Sequence, residues 1–353
     1  MTRPLPPVPA RVVAAPMAGG PSTVALVTAV GEAGGLGFLA AGYRTAEQLA
    51  AQVAELRAAS DAPFGVNVFA AGPAADPAVL TAHAERVTAW AQRYGVTPGT
   101  PEHSDDDLAA KVDRLVELAP AVVSFAFGLP PDGAVDRLHA AGSAVWVTVT
   151  DPEGARAAAA AGADALVVQG WEAGAHRGGG SDEEPGQLGL LPLLRLVRRV
   201  TNLPLVAAGG IADGAGVAAV LAAGASLAAL GTAFLRTPEA GTNPAHAAAL
   251  VDGPAPAGRP TTVTRAFTGR RARALVNRAT VELGDDAPAA YPEVHLMTAP
   301  VRAAARAAGD AEGLHLWAGQ AHGLAEAVPA GELVRRLAAD ARTALTAAAE
   351  LLA

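Results

Sequence analysis

Along this chain, apolar positions gather in short unbroken runs, and the runs are separated by longer alanine-rich stretches. Four times such a stretch reaches a glycine and passes into an apolar run: EAGGLGFLAA around Gly34, AAGSAVWVTVT around Gly142, AAGADALVVQG around Gly162 and AAGASLAALG around Gly224. Glycine just past a helix end supplies the left-handed C′ position, and a continuous apolar run suits a parallel strand covered on both faces. Eight runs can be placed: Val12–Ala15, Gly37–Ala40, Gly65–Phe69, Val122–Ala126, Val145–Val149, Ala165–Gln169, Leu205–Ala208 and Leu227–Leu230. Helix-compatible segments lie between most of them. The pattern therefore predicts an α/β fold, a closed (β/α)8 TIM barrel in preference to an open doubly wound sheet.

Two regions exceed a minimal barrel. Residues 70–120 hold a helical stretch (Ala78–Tyr94), a turn rich in Pro, Thr and Asp (Val96–Asp107) and a second helix, read together as an insertion after the third strand. A segment rich in Pro, Gly and Arg begins at Thr237. The expected organisation is a barrel over residues 1–236 with the insertion at 70–120, a smaller cap or lid subdomain over 237–300, and a C-terminal segment over 301–353, helical by pattern from Ala318 to Ala353, returning to the barrel.

Composition narrows the function classes. Of 353 residues, 51% are hydrophobic and 17% charged, which argues against a disordered chain, although much of the apolar share is alanine. The formal net charge of −8 argues against a nucleic-acid partner. Absence of cysteine excludes disulfides, thiolate metal sites and cysteine nucleophiles, and with the last an inosine-phosphate-dehydrogenase type of chemistry. No close ligand-like spacing of His and carboxylates points to a metal. The uncharged stretch Gly214–Leu235 is split by Gly224 and reads as a helix followed by a strand, not a membrane span. The proline-broken N-terminus reads as no leader, so the expected location is the cytoplasm.

Barrel enzymes carry their chemistry on the loops that follow the strands. The first strand leads into APMAGG (Ala15–Gly20), a run of small residues open to a flat ligand or to an ordinary turn. Asn67 interrupts the third strand, where a buried amide needs a ligand or a neighbouring loop as partner. The sixth strand ends at Gln169 and opens into QGWEAGAHRGGGSDEE, read as a mobile glycine-rich loop with Glu172, His176 and Arg177. His176 would stand over the barrel mouth, as a proton acceptor or as a solvated loop residue. Gly209–Gly210 after the seventh strand and Gly231–Thr232 after the eighth present backbone N–H groups suited to a phosphate, with Asp213 as an N-cap and a short helix after the last strand. Arg265, Arg270, Arg271, Arg273 and Arg278 form a basic cluster expected to make salt bridges between cap and barrel. In LWAGQAHG, Gln320 and His322 fit a ligand contact or a turn.

In order along the chain, APMAGG, VNVF, QGWEAGAHRGG, VAAGGIADG, ALGTAFL, AFTGRRAR and WAGQ resemble the nitronate monooxygenases, and they span Ala15 to Gly323. The resemblance implies an FMN-binding barrel with a cap that oxidises alkyl nitronates, propionate 3-nitronate among the candidates, with O2 to a carbonyl compound and nitrite. It implies that Met17, Asn67, Gln169, Gly174, Gly209, Gly210, Ala229, Leu230, Gly231, Thr232 and Gln320 contact FMN, and that His176 is the catalytic base. No metal is implied. The partners it implies are a nitronate or nitroalkane and O2, without nucleic acid or membrane, and a homodimer is the candidate assembly. Two other functions fit the residues: an FMN-dependent NAD(P)H reductase of quinones or enoyl thioesters, and a flavin-free barrel that binds a phosphorylated metabolite. This chain departs from the family at Ala175, where a second glycine is common, and at Ala14–Ala15, where a glutamine often precedes APM. Both departures bear on substrate range more than on FMN.

Overall fold

The computed structural model describes residues 3–70, 72–182, 187–253, 258–284 and 286–352. In chain order its strands are β1 (Val12–Ala14), β2 (Leu36–Ala40), β3 (Phe64–Phe69), β4 (Val122–Ala126), β5 (Ala144–Val149), β6 (Ala165–Gln169), β7 (Ala175–His176), β8 (Leu205–Ala208), β9 (Leu227–Leu230), β10 (Thr261–Thr264) and β11 (Ala272–Leu275). β1 to β6, β8 and β9 form a closed parallel barrel in that order, shut where Val13 of β1 stands opposite Ala229 of β9. All eight expected barrel strands are present, with no end displaced by more than one residue. The four junction glycines adopt left-handed φ values of +84° (Gly34), +103° (Gly142), +90° (Gly162) and +100° (Gly224). An L-residue there would lose roughly 1–2 kcal/mol, so glycine ends each helix and turns the chain into the next strand. Asp151 and Asp213 cap the starts of their helices by accepting from Gly154 N–H (2.7 Å) and Gly216 N–H (2.8 Å).

The core has two shells. Inside the barrel, Val13, Phe38, Trp146, Val206 and Ala229 pack as a plug beneath the strand C-termini. Outside, leucines and valines of the opposite strand faces meet the helices. Alanine and glycine allow close helix approach: a Cβ at Gly214 would lie 2.3 Å from Cβ of Asp340. The helix Ala330–Glu350 thereby rests on the helix Gly214–Ala222.

The 70–120 segment divides in two. The helix Leu108–Leu118 places Val112 and Leu115 among Leu49, Val53 and Val66 of the barrel shell, so it is an ordinary barrel helix and not part of an insertion. The helix Pro77–Gln92 instead packs Leu80, Val87 and Trp90 against Phe267, Val294, Met297 and Val301. That second core, together with β10 and β11, sits over the barrel mouth. The sequence pattern did not disclose that β7, only two residues long, pairs antiparallel with β11, His176 opposite Ala272 and Ala175 opposite Arg273. A loop of the barrel is thus the edge of the upper sheet.

Candidate active site

A cavity of about 310 Å³ opens at the C-terminal ends of the barrel strands. Its floor includes Val13, Phe38, Trp146 and Val206 of the plug and small residues Ala15, Ala208 and Ala229. On one side the chain turns at Gly209 (φ +111°) and Gly210 (φ +68°), beside Gly231 and the 3-10 turn Thr232–Phe234 that follows β9. Among the described residues, no backbone carbonyl accepts from the N–H groups of Gly209, Gly210, Gly231 or Thr232. Four donors with no backbone acceptor, in the turns that follow the adjacent strands β8 and β9, make a seat for an anion.

The glycine-rich loop after β6 is tied down at several points among its described residues. Gln169 uses both ends of its amide on it: Nε2 donates to the His176 carbonyl and Oε1 accepts from Gly178 N–H, each at 2.9 Å. Glu172 accepts from Leu190 N–H at 3.0 Å, at the start of the helix Leu190–Arg198, a structural role. Arg177 is buried, donates to the Gly170 carbonyl at 2.6 Å and stacks on Trp171. Gly174 lies so close to the 318–319 backbone that a Cβ would stand 2.5 Å from Gly319 N. Ala175 takes φ +61°, the left-handed region in which a side chain is strained. Glu183 and Glu184, which end this segment in the sequence, lie outside the described residues.

The result of these ties is the placement of His176. Its Nε2 is 2.9 Å from Oγ1 of Thr268, and that hydroxyl lies 3.2 Å from the Arg270 carbonyl. The hydroxyl proton goes to the carbonyl, so Thr268 Oγ1 accepts Nε2–H, and Nδ1 keeps a free lone pair. Burial, reinforced by the positive charges of Arg270 and Arg302, lowers the imidazole to about 3, so the ring is neutral at neutral pH.

Across the cavity stands an aromatic and basic roof. Tyr43 stacks on His295 with ring centroids 4.1 Å apart, and Tyr291 lies edge-on to His176 at 5.9 Å. Phe127, at φ +75°, touches both Phe69 and the His176 ring. Burial, then the charge of Arg302, lowers His295 to about 2. Burial raises the Tyr43 hydroxyl to about 12. The arginine cluster does stitch roof to barrel, but mainly through carbonyls. Arg265 pairs with the Asp182 carboxylate at 2.7 Å, while Arg270 donates to the Arg177 and Gly179 carbonyls and Arg273 to the Trp171 carbonyl.

Of the residues singled out from sequence, Met17, Asn67, Gln169, Gly174, His176, Gly209, Gly210, Ala229, Gly231 and Thr232 all line this cavity. Asn67 donates its amide to Ser124 on the adjacent strand, at 2.9 Å to the hydroxyl. Leu230 does not line it, because neighbouring strand residues face opposite ways and its side chain is buried in the outer shell. Gln320 also does not line it: its N–H donates to the Glu172 carbonyl at 3.0 Å while the residue is exposed. His322 is buried and held by the Leu250 and Arg259 carbonyls at 2.9 Å, a structural residue. Sequence reading missed Tyr43, Phe127, Thr268, Tyr291, His295, Arg302 and Arg306. Thr268, in AFTGRRAR, carried the one local signal.

Known proteins of two kinds are similar to this chain, one of them FabK from Thermotoga maritima, a solved structure with a TM-score of 0.74, 28% identity and coverage of 97% of this chain and 95% of that chain. A family model described as nitronate monooxygenase matches residues 8–340. The chain is 42% identical over 339 residues to a nitronate monooxygenase of Paraburkholderia phytofirmans, covering 92% of this chain and 90% of that protein. It is 41% identical over 344 residues to a nitronate monooxygenase of Pseudomonas aeruginosa, covering 94% and 96%. Its fold is similar to a solved nitroalkane oxidase from Streptomyces ansochromogenes, with a TM-score of 0.92, 48% identity and coverage of 97% and 98%.

Proposed function

This chain belongs to the nitronate monooxygenase family and is an oxidoreductase, and from that premise we propose that it binds FMN in the barrel mouth and uses O2 to oxidise alkyl nitronates to a carbonyl compound and nitrite. The fit of the cavity to FMN supports the reading. Unpartnered N–H groups at Gly209, Gly210, Gly231 and Thr232 suit its phosphate, and the apolar plug with small residues above it leaves room for a flat ring. No Asp or Glu is among the described residues that line the cavity. When bound, FMN supplies the redox chemistry, taking electrons from the nitronate and passing them to O2.

The protein's own share is proton handling and positioning. The observation that carries the reading is His176, which lines the cavity with Nε2 2.9 Å from Thr268 Oγ1; with Nε2–H committed to that hydroxyl, Nδ1 is the nitrogen left to accept a proton. A neutral nitroalkane gives its α-proton to Nδ1, and the nitronate anion remains beside the new imidazolium. The low proton affinity of the ring in the cavity alone means that this imidazolium persists only while the anion stays next to it. A nitronate that arrives already ionised needs no base. The roof of Tyr43, Phe127 and Tyr291 excludes water from the pair.

Oxygen uptake by wild type and His176→Asn on nitroethane and on preformed ethyl nitronate tests this, with bound flavin quantified in both proteins. Activity on nitroethane should fall by about 10²–10⁴-fold, while that on ethyl nitronate should stay within about tenfold. Equal losses on both substrates would remove His176 from proton transfer. A preparation that retains no flavin would remove the cofactor assignment.

A further inference from the structure

The whole chain carries a net charge of −8, so its distant field repels an anion. The cavity has the opposite character: its described lining holds Arg302 and Arg306 but no carboxylate. The two arginines are four positions apart on the helix Glu293–Ala307 and share one face. They differ in depth, Arg306 being exposed and Arg302 half-buried. Arg302 is held in place, with Nε donating to Thr298 Oγ1 (3.1 Å) and Nη2 to the His295 carbonyl (2.8 Å) and ring (3.2 Å). Its Nη1 has no acceptor among the described residues, and neither guanidinium has a carboxylate partner there, whereas Arg259 on the same side of the fold has two. A half-buried guanidinium with an unused N–H and no counter-charge gains when an anion comes to it. The positive charge of Arg302 also acts on His176, so the deeper arginine lies within electrostatic reach of the proton-transfer site.

We propose that Arg306 and Arg302 form a two-step cationic path that captures an ionised nitronate at the cavity mouth and draws it to His176, making this enzyme selective for anionic over neutral substrates. This rests on the nitronate-oxidising reading above. Arg306 acts at the surface, through solvent, and its contribution is screened by salt. Arg302 acts inside, where screening is weak, and holds the charge once it has arrived. Flavin phosphate is the other anion that could use these arginines, and the flavin content of the variants separates the two.

The experiment measures kcat/KM of the flavin-loaded enzyme on ethyl nitronate and on nitroethane from about 0.01 to 1 M NaCl, across which the screening length shrinks from about 30 to 3 Å. For wild type, the nitronate value should fall about tenfold with salt, within the range known for electrostatic steering, and the nitroethane value should stay level. Arg306→Gln should lower the low-salt nitronate value about three- to tenfold and flatten its salt dependence. Arg306→Lys should restore both, and Arg306→Glu should lower the value further, all with unchanged flavin content. If net charge alone governed capture, the nitronate value would rise with salt, and that result would overturn the path. So would a salt slope left intact in Arg306→Gln, or flavin lost from it. Should the nitronate-oxidising reading itself be wrong, wild type would oxidise neither substrate, which is apparent before any variant is made.

Discussion

The floor and the roof of the cavity are built by opposite means. The glycine seat at the edge of the floor is a backbone device: the chain turns after β8 and β9 leave N–H groups without a backbone acceptor, and each donor comes from within a few residues of a strand end. The roof is a side-chain device assembled from segments far apart, with Tyr43 after β2, His176 on β7, Thr268 before β11, Tyr291 just ahead of the helix Glu293–Ala307, and His295, Arg302 and Arg306 on that helix. A backbone device tolerates change in side chains around it but not a new charge at its centre. A side-chain device depends on every contact that orients it, and on the burial that keeps its histidines neutral.

Beyond His176 itself, the largest expected effect of a single change falls on the glycine seat. Gly231 has φ −105°, and a Cβ there meets only Ala15 at 3.8 Å and Met17 Sδ at 3.9 Å, so the site accepts a side chain without strain. Gly231→Asp should fold normally yet lose flavin affinity by about a hundredfold or more, because a like charge is placed beside the phosphate. Fluorescence titration with FMN and the melting temperature of the flavin-free protein check the two halves of that statement. Unchanged affinity would mean that the phosphate lies elsewhere.

Acid should attack the roof first. Burial lowers His83 and His246 to about 4, His176 to about 3 and His295 to about 2, whereas the unfolded chain holds its histidines near 6.5. As pH falls from about 6.5 towards 4, the unfolded state takes up protons that the folded state refuses, so stability is complete above that window and is lost on descending through it. Melting temperature should drop across this range, and amide protection should vanish from the helices Pro77–Gln92 and Glu293–Ala307 before it leaves the barrel strands. A melting temperature that stays flat from pH 7 to 4 would contradict the assignment.

The smallest effect concerns Ala175, held at φ +61°. Ala175→Gly removes left-handed strain and should raise stability by about 0.5–1 kcal/mol, with activity changed by less than about threefold, as urea titration and oxygen uptake would show. Destabilisation instead would mean that the methyl group packs against the roof more tightly than the strain costs.

This asymmetry also explains what sequence reading could reach. Eight barrel strands, the glycine junctions and the floor glycines are local patterns, and each repeats a backbone requirement that only a few residue types meet. The roof leaves no such trace. Arg302 and Arg306 sit in an alanine-rich helix that reads as an ordinary solvated one, and Phe127 faces the cavity because of a positive φ that its own sequence does not signal. Gln320 shows the converse case: in a small-residue turn it fits a ligand contact or a turn equally, and in the fold its N–H anchors the Glu172 loop while the residue is exposed. The helix Leu108–Leu118 was assigned to an insertion because the preceding proline-rich turn breaks the βα rhythm, although its apolar stripe serves the barrel.

The pairing of β7 with β11 joins the imidazole to a hydroxyl 92 residues downstream. That seam works as an interlock. A molecule that breathed by lifting its upper sheet would pass through a form in which the ring spins freely and has no assigned tautomer. Traffic through a side passage, with the sheet kept shut, preserves a ready catalyst from one turnover to the next.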